Sequence, residues 1–553
     1  MKISKIGLAY HQIGRGQEII SILMKYGFGE FVSKGGFGKH FVSKKRLAKI
    51  ESLSKNERIR HAIEELGPTF IKFGQIVADR PDLVSKDLRD ELKKLQDDAH
   101  PMSDEIAVNE VEKQLNKPLK EVFKTFNKTH IASASIAQAY EAVLQNGQKV
   151  ALKVQRPGIE KVIKLDLSLM EFFAKKIQKN HPDFQAIDID GVVGEFGKSI
   201  SKEIDFTNEA ANMLRFAHNF KGDETIYVPK VFMEHSSKKL LVEEFIDGLK
   251  VDDIEGLKKA GDDPIEIAHR GSKLMFKQIF THGFFHADPH SGNIFIKENN
   301  VIVFIDFGMM GTLRPYHMDF LGKYVLGYIQ RDATKLTEAL LLLSGKRHYD
   351  RVDELEFEIS DMLKHYQYVS MKEMNFGDIM NKSIDIIVDF GLSIPPTIYL
   401  LLKALITIQG VAEKLNPKID IAKEMEPFAK ELLKSQFSPA KFSKQIFSTV
   451  GDYFDLIRDL PKEISEIIYK TKEGKLKMQI EFQGLDMLLK KMDHISKRIS
   501  ISIVLSALIV GAAIVSQWEH MKWVGTVIFL LSGVFGFWLL VKLWRTQKFD
   551  KEK

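Results

Sequence analysis

The sequence is organised around HADPHSGN at residues 286–293, which is followed by DFG at residues 306–308. Asn293 lies five positions after Asp288, and Asp306 lies thirteen positions after Asn293. Phosphoryl transfer needs one carboxylate that orients the attacking group and oxygen ligands that hold Mg²⁺ against the phosphates. We therefore predict that Asp288 is the catalytic carboxylate and that Asn293 and Asp306 are the metal ligands.

Between these motifs lie two short apolar runs, at residues 294–296 and 301–305, joined by Glu298-Asn299-Asn300. Apolar runs around a turn of this composition predict a β-hairpin, which would fix the distance between the two metal ligands. The alternative is a chance DFG after an ordinary loop. The joint spacing of the three polar groups argues against it and favours a kinase-like fold.

Composition limits the classes of function. The 553 residues suffice for two or three domains, and 44% hydrophobic with 28% charged residues is typical of a folded protein. A net charge of +6 is mild for this length and does not indicate nucleic acid binding. The absence of cysteine excludes disulfides, Cys-ligated zinc and thiol catalysis. Gln12, Arg15 and Glu18 interrupt the N-terminal apolar residues, so no signal peptide is expected.

The first 125 residues are predicted to form an N-terminal helical region. Residues 1–50 are basic, and their first half has apolar residues at helical spacing, which suits either a membrane-surface helix or a helix packed on the domain. Residues 51–125 contain LGPTFIKFGQ, in which Lys72 and Gln75 share a helical face. Gly74 costs roughly 1 kcal/mol inside a helix, which suggests close approach to another backbone. By spacing alone, an ordinary amphipathic helix is the preferred interpretation.

A candidate nucleotide-binding region follows at residues 126–248. The segment IASASIAQAY at residues 131–140 lies where a phosphate loop would be, and VALK ends at Lys153, the lysine predicted to grip the α- and β-phosphates. Alanine resists positive φ, so fewer amides can point inward and a different nucleotide pose is expected. The loop residues proposed to line the nucleotide are Ala132, Ala134 and Ala137.

Two further groups complete the predicted nucleotide site. A kinase-like site needs a helix carboxylate beside the strand lysine; Glu209 is the first choice and Glu203 the second. The long separation from Lys153 requires an insertion between them, and a solvated acidic helix start is the alternative interpretation. Backbone groups around Glu244 and Ile246 are predicted as the hinge that meets the adenine.

The C-terminal part is predicted to be helical and then membrane-bound. Ile499–Ser516 and Trp523–Val541 are long runs without charge, each about the length that crosses a ~30 Å hydrocarbon core. Flanking tryptophans and basic outer ends predict a hairpin with the large domain in the cytoplasm. Small residues four apart would let these helices pack, including as a homodimer; they are Ala507, Gly511, Ser532 and Gly536.

Together these motifs resemble the UbiB-like atypical kinases, which act in ubiquinone biosynthesis. The resemblance rests on KFGQ at residues 72–75, the Ala-rich loop, VALK, the acidic stretch from Glu203, HADPHSGN and DFG, and it spans roughly residues 50–345. It implies that Lys72 and Gln75 face Glu203 and Asp205 over the active site, which disfavours protein phosphorylation. It also implies that Lys153 pairs with Glu209.

The resulting prediction is an α+β, atypical protein-kinase-like bilobal fold with an N-terminal helical extension, a helical C-terminal region and a transmembrane hairpin. The predicted segments are an extension to residue 125, an N-lobe at 126–248, a C-lobe at 249–460, a connector at 461–498, membrane helices at 499–541 and a basic tail at 542–553.

The predicted function is that of an ATPase of the bacterial inner membrane, with ATP/ADP and Mg²⁺ as cofactors. It would support quinone biosynthesis, with the bilayer, quinone precursors or quinone-biosynthesis enzymes as partners and without nucleic acid. The alternatives are a kinase that phosphorylates a lipid or small molecule, and a nucleotide-gated scaffold without catalysis.

Overall fold

The computed structural model describes residues 5–29, 53–95, 101–180, 188–346, 349–365, 376–436 and parts of 496–534. The chain divides into two compact units, Met1–Lys444 and Gln445–Lys553. The predicted basic tail and nearly all of the predicted connector lie outside the described residues.

The strands of the first unit form three small sheets. In chain order they are β1 (Phe123–Ser133), β2 (Ala137–Leu144), β3 (Lys149–Gln155), β4 (Ile226–Tyr227), β5 (Leu240–Glu244), β6 (Leu249–Lys250), β7 (Phe284–His286), β8 (Ile294–Lys297), β9 (Val301–Phe304) and β10 (Met310–Thr312). The sheet orders are β1-β2-β3-β5, β10-β7 and β4-β9-β8-β6.

The four-stranded antiparallel sheet is the centre of the N-lobe. Its register places Lys153 opposite Leu241 and Ala151 opposite Glu243. Leu152 and Val242 lie on the other face, in a buried cluster with residues of β2 and of the helix that precedes the sheet. Because successive strand residues point to opposite faces, one face of β3 and β5 builds the core and the other carries the charged groups.

The helices surround these sheets. In chain order they are α1 (Lys5–Lys25), α2 (Lys55–Leu66), α3 (Pro68–Ala78), α4 (Lys86–Leu92), α5 (Asp104–Leu115), α6 (Leu119–Val122), α7 (Ile159–Asn180), α8 (Ile189–Glu203), α9 (Phe206–Asn219), α10 (Ile254–Ala260), α11 (Pro264–Phe276), α12 (Pro315–Gln330), α13 (Ala333–Ser344), α14 (Val352–His365), α15 (Phe376–Asp389), α16 (Pro396–Leu415) and α17 (Ile421–Gln436). The inserted helices α7 and α8 account for the long separation between Lys153 and Glu209.

Helix α1 packs against the domain, which is one of the two alternatives left open by the sequence. Ile19 and Ile22 are buried in a cluster that includes Leu66 of α2 and Leu169 of α7. Arg15 adds a 2.8 Å ion pair to the fully buried carboxylate of Asp166. Hydrophobic burial and this ion pair hold α1 on the insertion helices.

The C-lobe contains the hairpin that the sequence predicts. Strands β8 and β9 pair with Ile294 opposite Phe304, and the turn uses positive φ angles of 67° at Asn299 and 59° at Asn300. Asparagine tolerates this left-handed conformation better than most residues. After DFG, only β10 and a short link precede α12, so this region has no long activation segment.

The second unit is described only in part. Residues 509–515 and 526–534 are helical, and the remainder of the predicted spans Ile499–Ser516 and Trp523–Val541 lies partly outside the described residues. Within the part of the chain that the structure describes, no helix combines the length and apolarity needed to cross a membrane.

Helix α3, which carries KFGQ, begins at Pro68, and the prediction that Gly74 closely approaches another backbone was wrong. A Cβ atom at Gly74 would lie 2.5 Å from Leu95 Cδ1 and 3.3 Å from Ile63 Cγ2, so the close approach is to side chains rather than to another backbone. Leu66, which begins the LGPTFIKFGQ stretch, is the last residue of α2.

We predict that Gly74→Ala destabilises the protein by about 1–2 kcal/mol, although alanine is the better helix former, because the added methyl overpacks a filled contact. Urea unfolding measures the change in the free energy of unfolding. The matched control is Gly194→Ala in α8, where a Cβ atom would meet nothing within 4 Å. Gly194→Ala should be neutral or stabilising, and equal effects of the two variants would contradict the packing argument.

Candidate active site

Lys153, Glu209 and Asp306 converge between the lobes. The Lys153 ammonium donates to both Glu209 carboxylate oxygens, at 3.0 and 2.9 Å. It also contacts Asp306 Oδ1 at 3.3 Å. Of the two carboxylates considered from the sequence, Glu209 is therefore the partner of the strand lysine. One ammonium joins β3, helix α9 and DFG.

Local structure fixes the position of Glu209. Helix α9 begins at Phe206, and the Asp205 side chain caps it by accepting from Thr207 N. This places Glu209 in the first turn, facing the sheet, with only 6% of its side chain exposed. The same helix start presents the Phe206 ring at 5.6 Å from Lys153 Nζ, a cation–π contact.

The same helix holds DFG in place. Asn212 Nδ2 donates to the Phe307 carbonyl at 2.9 Å. The Phe216 ring packs edge-on against the fully buried Phe307 ring at 5.1 Å. Asp306 itself adopts a positive φ of 58°, which is rare outside glycine and turns its carboxylate toward Lys153.

Electrostatics in this cluster follow from burial and charge. Lys153 is the main reason that the pKa of Asp306 lies well below its usual range. Burial raises the pKa of Glu209 to about 7, and the opposing pull of Lys153 does not offset it. Burial also lowers the pKa of Lys153, but Asp306 and Glu209 outweigh that effect and the net shift is upward, so Lys153 stays charged.

The HADPHSGN loop is held by a neutral histidine. His286 is fully buried, its Nε2 lies 3.2 Å from the Ile305 carbonyl, and its Nδ1 accepts from the Asp288 amide at 3.2 Å. Burial lowers the pKa of His286, which keeps the ring neutral and Nδ1 free to accept. The ring therefore ties Asp288 to the segment that leads into DFG.

The predicted metal ligands suit a magnesium ion that arrives with a nucleotide. Asn293 Nδ2 donates to the Asp288 carbonyl at 3.3 Å, which leaves its amide oxygen available as a ligand. Asp306 contributes a carboxylate, and Mg²⁺ prefers one or two protein oxygens together with phosphate oxygens and water. In the described part of the chain, no group of three or more His, Cys, Asp or Glu side chains could hold a metal ion. The donor set fits a metal shared with substrate.

The Ala-rich segment forms the tight connection between β1 and β2. Ala132 pairs with Ala139 across the strands, and Ala137 begins β2. The Ala134 amide donates to the Ala137 carbonyl at 2.9 Å, and its own carbonyl accepts from Arg156 Nε at 2.8 Å. The Ala134 amide is therefore engaged within the loop. Arg156, which the sequence analysis missed, fastens this loop to the end of β3.

The segment predicted to be the hinge follows β5, and Glu244 at the end of that strand is already hydrogen-bonded within the N-lobe. The Glu244 amide donates to the Lys230 carbonyl at 2.8 Å, so it is already used within the N-lobe. The Glu244 carboxylate accepts from Tyr227 OH at 2.6 Å, and Ile246 follows the strand half-buried. The Glu244 amide is therefore occupied, and the assignment of other backbone groups around Glu244 and Ile246 to the adenine stays a prediction.

The resemblance implies that Lys72 and Gln75 face Glu203 and Asp205, and the structure shows one ion pair between these two pairs of residues. Lys72 and Glu203 form an ion pair at 3.0 Å, with side chains 19% and 28% exposed. Gln75 Nε2 instead donates to the Leu95 carbonyl at 3.2 Å. Asp205 caps α9 and lies 3.3 Å from Lys238. A backbone carbonyl thus holds Gln75 and a helix N-terminus holds Asp205, so the contact that the structure shows between the two pairs of residues is Lys72 with Glu203.

Glu243 is a site residue that the sequence analysis missed. It lies two residues after Leu241 on β5, on the face that carries Lys153, and its Oε2 is buried without a hydrogen-bond partner among the described residues. Burial raises its pKa to about 8, and the nearby Glu209 adds to the shift. The available signal was a second acidic residue inside an apolar strand, where a solvated charge is not expected.

Asp79 and Lys403 were also missed. Lys403 Nζ lies 3.1 Å from Asp79 Oδ2 and 3.5 Å from Asp288 Oδ1. The signals were a lone lysine inside the apolar run of α16 and an acidic residue immediately after α3. Both look like helix-surface residues in sequence, because nothing local connects them to residue 288.

Fold and site together define an atypical kinase-like protein. The family model described as "ABC1 atypical kinase-like domain" matches residues 94–340. The models "UbiB helical domain" and "ABC1/UbiB kinase-like C-terminal domain" match residues 359–420 and 483–545.

Named relatives match most of the length of the chain. A "Probable protein kinase UbiB" of Marinobacter nauticus is 32% identical over 85% of this chain and 86% of its own length. A protein of the same name from Aeromonas hydrophila is 33% identical over 94% and 96%. A solved complex of Rv3197 with erythromycin from Mycobacterium tuberculosis shows 22% identity and a TM-score of 0.41, over 68% of this chain and 99% of that chain. The present chain belongs to the ABC1/UbiB family.

We predict that Glu243→Gln makes the protein more stable relative to wild type as pH rises. Between the usual pKa of 4.5 and about 8, the unfolded carboxyl group loses its proton while the folded one keeps it, so the folded state loses stability through that window. Glutamine cannot ionise, and the variant should gain on the order of 1–3 kcal/mol between pH 5 and pH 8.

Urea unfolding of both proteins at pH 5, 6.5 and 8 measures this difference. Glu234→Gln, at an exposed position of the same lobe, is the control and should show no such trend. If the free energies of unfolding of Glu243→Gln and wild type differ by the same amount at all three pH values, the carboxyl group ionises normally in the folded protein.

Proposed function

We propose that this protein is a membrane-anchored, Mg²⁺-dependent ATPase that supports isoprenoid quinone biosynthesis of the ubiquinone type. The observation that carries the proposal is the convergence of Lys153, Glu209 and Asp306 at one point between the lobes, with Asp288 and Asn293 in the adjoining loop. This is the set of groups that ATP-dependent phosphoryl transfer requires.

Each group has a chemical task in hydrolysis. Lys153, held by Glu209, offers a fixed positive charge to the α- and β-phosphates. Asp306 and Asn293 would hold Mg²⁺, which neutralises charge that develops on the phosphates. Asp288 orients the attacking water and accepts its proton, while the γ-phosphoryl group passes from ADP to the water oxygen.

The residues packed around Asp288 favour water, rather than a protein hydroxyl, as the acceptor of the phosphoryl group. Helix α3 ends at Asp79, and Lys403 joins that residue to Asp288 by contacts of 3.1 and 3.5 Å. The Lys72–Glu203 ion pair ties the same helix to α8. This packing of α3 beside Asp288 is our reason to propose water, rather than the hydroxyl of a peptide, as the acceptor.

The proposals for the membrane anchor and for the pathway rest on the sequence. The apolar runs Ile499–Ser516 and Trp523–Val541 are the proposed anchor in the bacterial inner membrane, with the catalytic unit in the cytoplasm. Quinone precursors are lipid-like and reside in that bilayer, so hydrolysis would serve to handle them or to organise the enzymes that modify them. Packing of the anchor helices would allow a homodimer.

Phosphate release from the purified full-length chain in liposomes tests the proposal. We expect Asp288→Asn and Asp306→Asn each to lower the hydrolysis rate at least about 100-fold, because one loses the proton acceptor and the other a metal ligand. Asp306→Asn should also raise the Mg²⁺ concentration needed for half-maximal rate.

The control is Asp252→Asn, at an exposed position outside the site, which should hydrolyse ATP at the wild-type rate. No release by wild type, or equal release by Asp306→Asn, would defeat the proposal. Label from γ-phosphate that appears in a membrane lipid extract would instead support a small-molecule or lipid kinase. Nucleotide binding and genetic complementation by Asp288→Asn would support the nucleotide-gated scaffold.

The Lys72–Glu203 pair provides a separate prediction. If it holds α3 over the site, Lys72→Met and Glu203→Gln should both change the hydrolysis rate in the same direction, or both should permit phosphorylation of the chain itself. Labelling with γ-phosphate and phosphate release measure the two outcomes. Lys86→Met, an exposed lysine of the same extension, is the control. If both variants behave as Lys86→Met does, the ion pair has no part in covering the site.

A further inference from the structure

A three-residue charge cluster lies at the reacting carboxylate, and its members come from three different parts of the chain. Asp288 belongs to the segment that matches the kinase-like domain, and Lys403 to the segment that matches the helical domain. Asp79 is the residue at the end of α3, before either segment. The Lys403 ammonium lies between the two carboxylates, at 3.1 Å from Asp79 and 3.5 Å from Asp288.

We propose that Lys403 is a positioning residue for Asp288, supplied to the active site by the helical domain. The inference rests on the proposed function, since it assigns Lys403 to the hydrolysis step. Its ammonium contacts Asp288 Oδ1 and thereby fixes the rotation of the carboxylate. The other oxygen, Oδ2, is then presented to the attacking water.

The position of Lys403 is set by the packing of α16. This helix is largely buried, and only 29% of the Lys403 side chain is exposed. One turn earlier on the same face, the Tyr399 ring stacks under the Arg80 guanidinium at 5.2 Å. Arg80 and Asp79 are neighbours, so two contacts one turn apart dock α16 on the end of α3. Lys403 is therefore held in place by the fold.

Asp79 has a matching role in the cluster. Burial is the main cause of a raised pKa at Asp79, Lys403 opposes the shift, and the charge of Asp288 adds to it. Two carboxylates this close repel each other, and the ammonium between them offsets that repulsion. Asp79 thus holds the Lys403 ammonium beside Asp288 Oδ1.

The backbone of Asp288 is fixed independently. Its amide donates to His286 Nδ1, and its carbonyl accepts from Asn293 Nδ2. These contacts do not restrain the side-chain torsions, whereas Lys403 contacts the carboxylate itself. Reactions that depend on the alignment of a proton acceptor lose rate steeply when that group is misplaced, by up to about 100-fold per ångström.

The test is ATP hydrolysis by the full-length chain with Lys403→Met, which keeps the apolar stem and removes the charge. We expect kcat to fall about 10- to 100-fold with KM for ATP within about twofold of wild type. Lys403→Arg should restore part of kcat, because it keeps a positive charge at the same place. Lys414→Met, an exposed lysine on the same helix, is the control and should match wild type.

A double-mutant cycle separates positioning from a structural role. If Lys403 acts through Asp288, Lys403→Met should have no further effect on the residual rate of Asp288→Asn. If Lys403 only holds α16 to α3, the fold-reductions in rate of the two single variants should multiply in the double variant. Lys403→Met should then also lower Tm. If Lys403→Met does not fold, Lys403→Gln, which is neutral and can still donate to Asp79, takes its place.

The outcomes are distinct. Unchanged kcat in Lys403→Met, or multiplying losses in the cycle, would overturn the inference alone. A rise in kcat would also overturn it, since Lys403 would then be blocking Asp288. Absence of hydrolysis in wild type would defeat the proposed function, and the inference would fall with it.

Discussion

The ion pair between Lys153 and Glu209 is the contact on which the site depends. It crosses between the central strand of the N-lobe and helix α9, and the same ammonium reaches Asp306. Because Asn212 and Phe216 of α9 also hold Phe307, one helix positions both Lys153 and Asp306, the predicted metal ligand. Loss of this pair would leave a buried carboxylate without its cation, which costs far more than a surface pair contributes.

Charge balance explains the unusual pKa values around that pair. One ammonium faces the carboxyl groups of Glu209, Asp306 and Glu243, and it cannot neutralise all three. Asp306 stays ionised because Lys153 acts on it most strongly, whereas burial raises the pKa of Glu209 to about 7 and of Glu243 to about 8. A divalent cation at Asp306 would supply further positive charge, which fits a site that works with magnesium-bound nucleotide.

A second set of ion pairs at the site involves residues outside the kinase-like segment. Helix α3 and helix α16 meet at Asp79 and Lys403, directly beside Asp288. The segment that matches the helical domain thus places a cation at Asp288, the carboxylate proposed to be catalytic. Its docking through Tyr399 and Arg80 couples the packing of two helices to the geometry of one side chain.

The sequence by itself determined the motifs whose spacing is set by local chain geometry. The β8–β9 hairpin and the strand lysine Lys153 follow from patterns within a short stretch of the chain, whereas the sequence left two carboxylates, Glu209 and Glu203, as candidate partners of that lysine. Only the tertiary structure decided the contacts across long separations, such as Lys403 with Asp288, the capping role of Asp205 and the engagement of Gln75 by Leu95. Such contacts depend on how helices dock, and side-chain type at one position carries no information about which distant element will lie beside it.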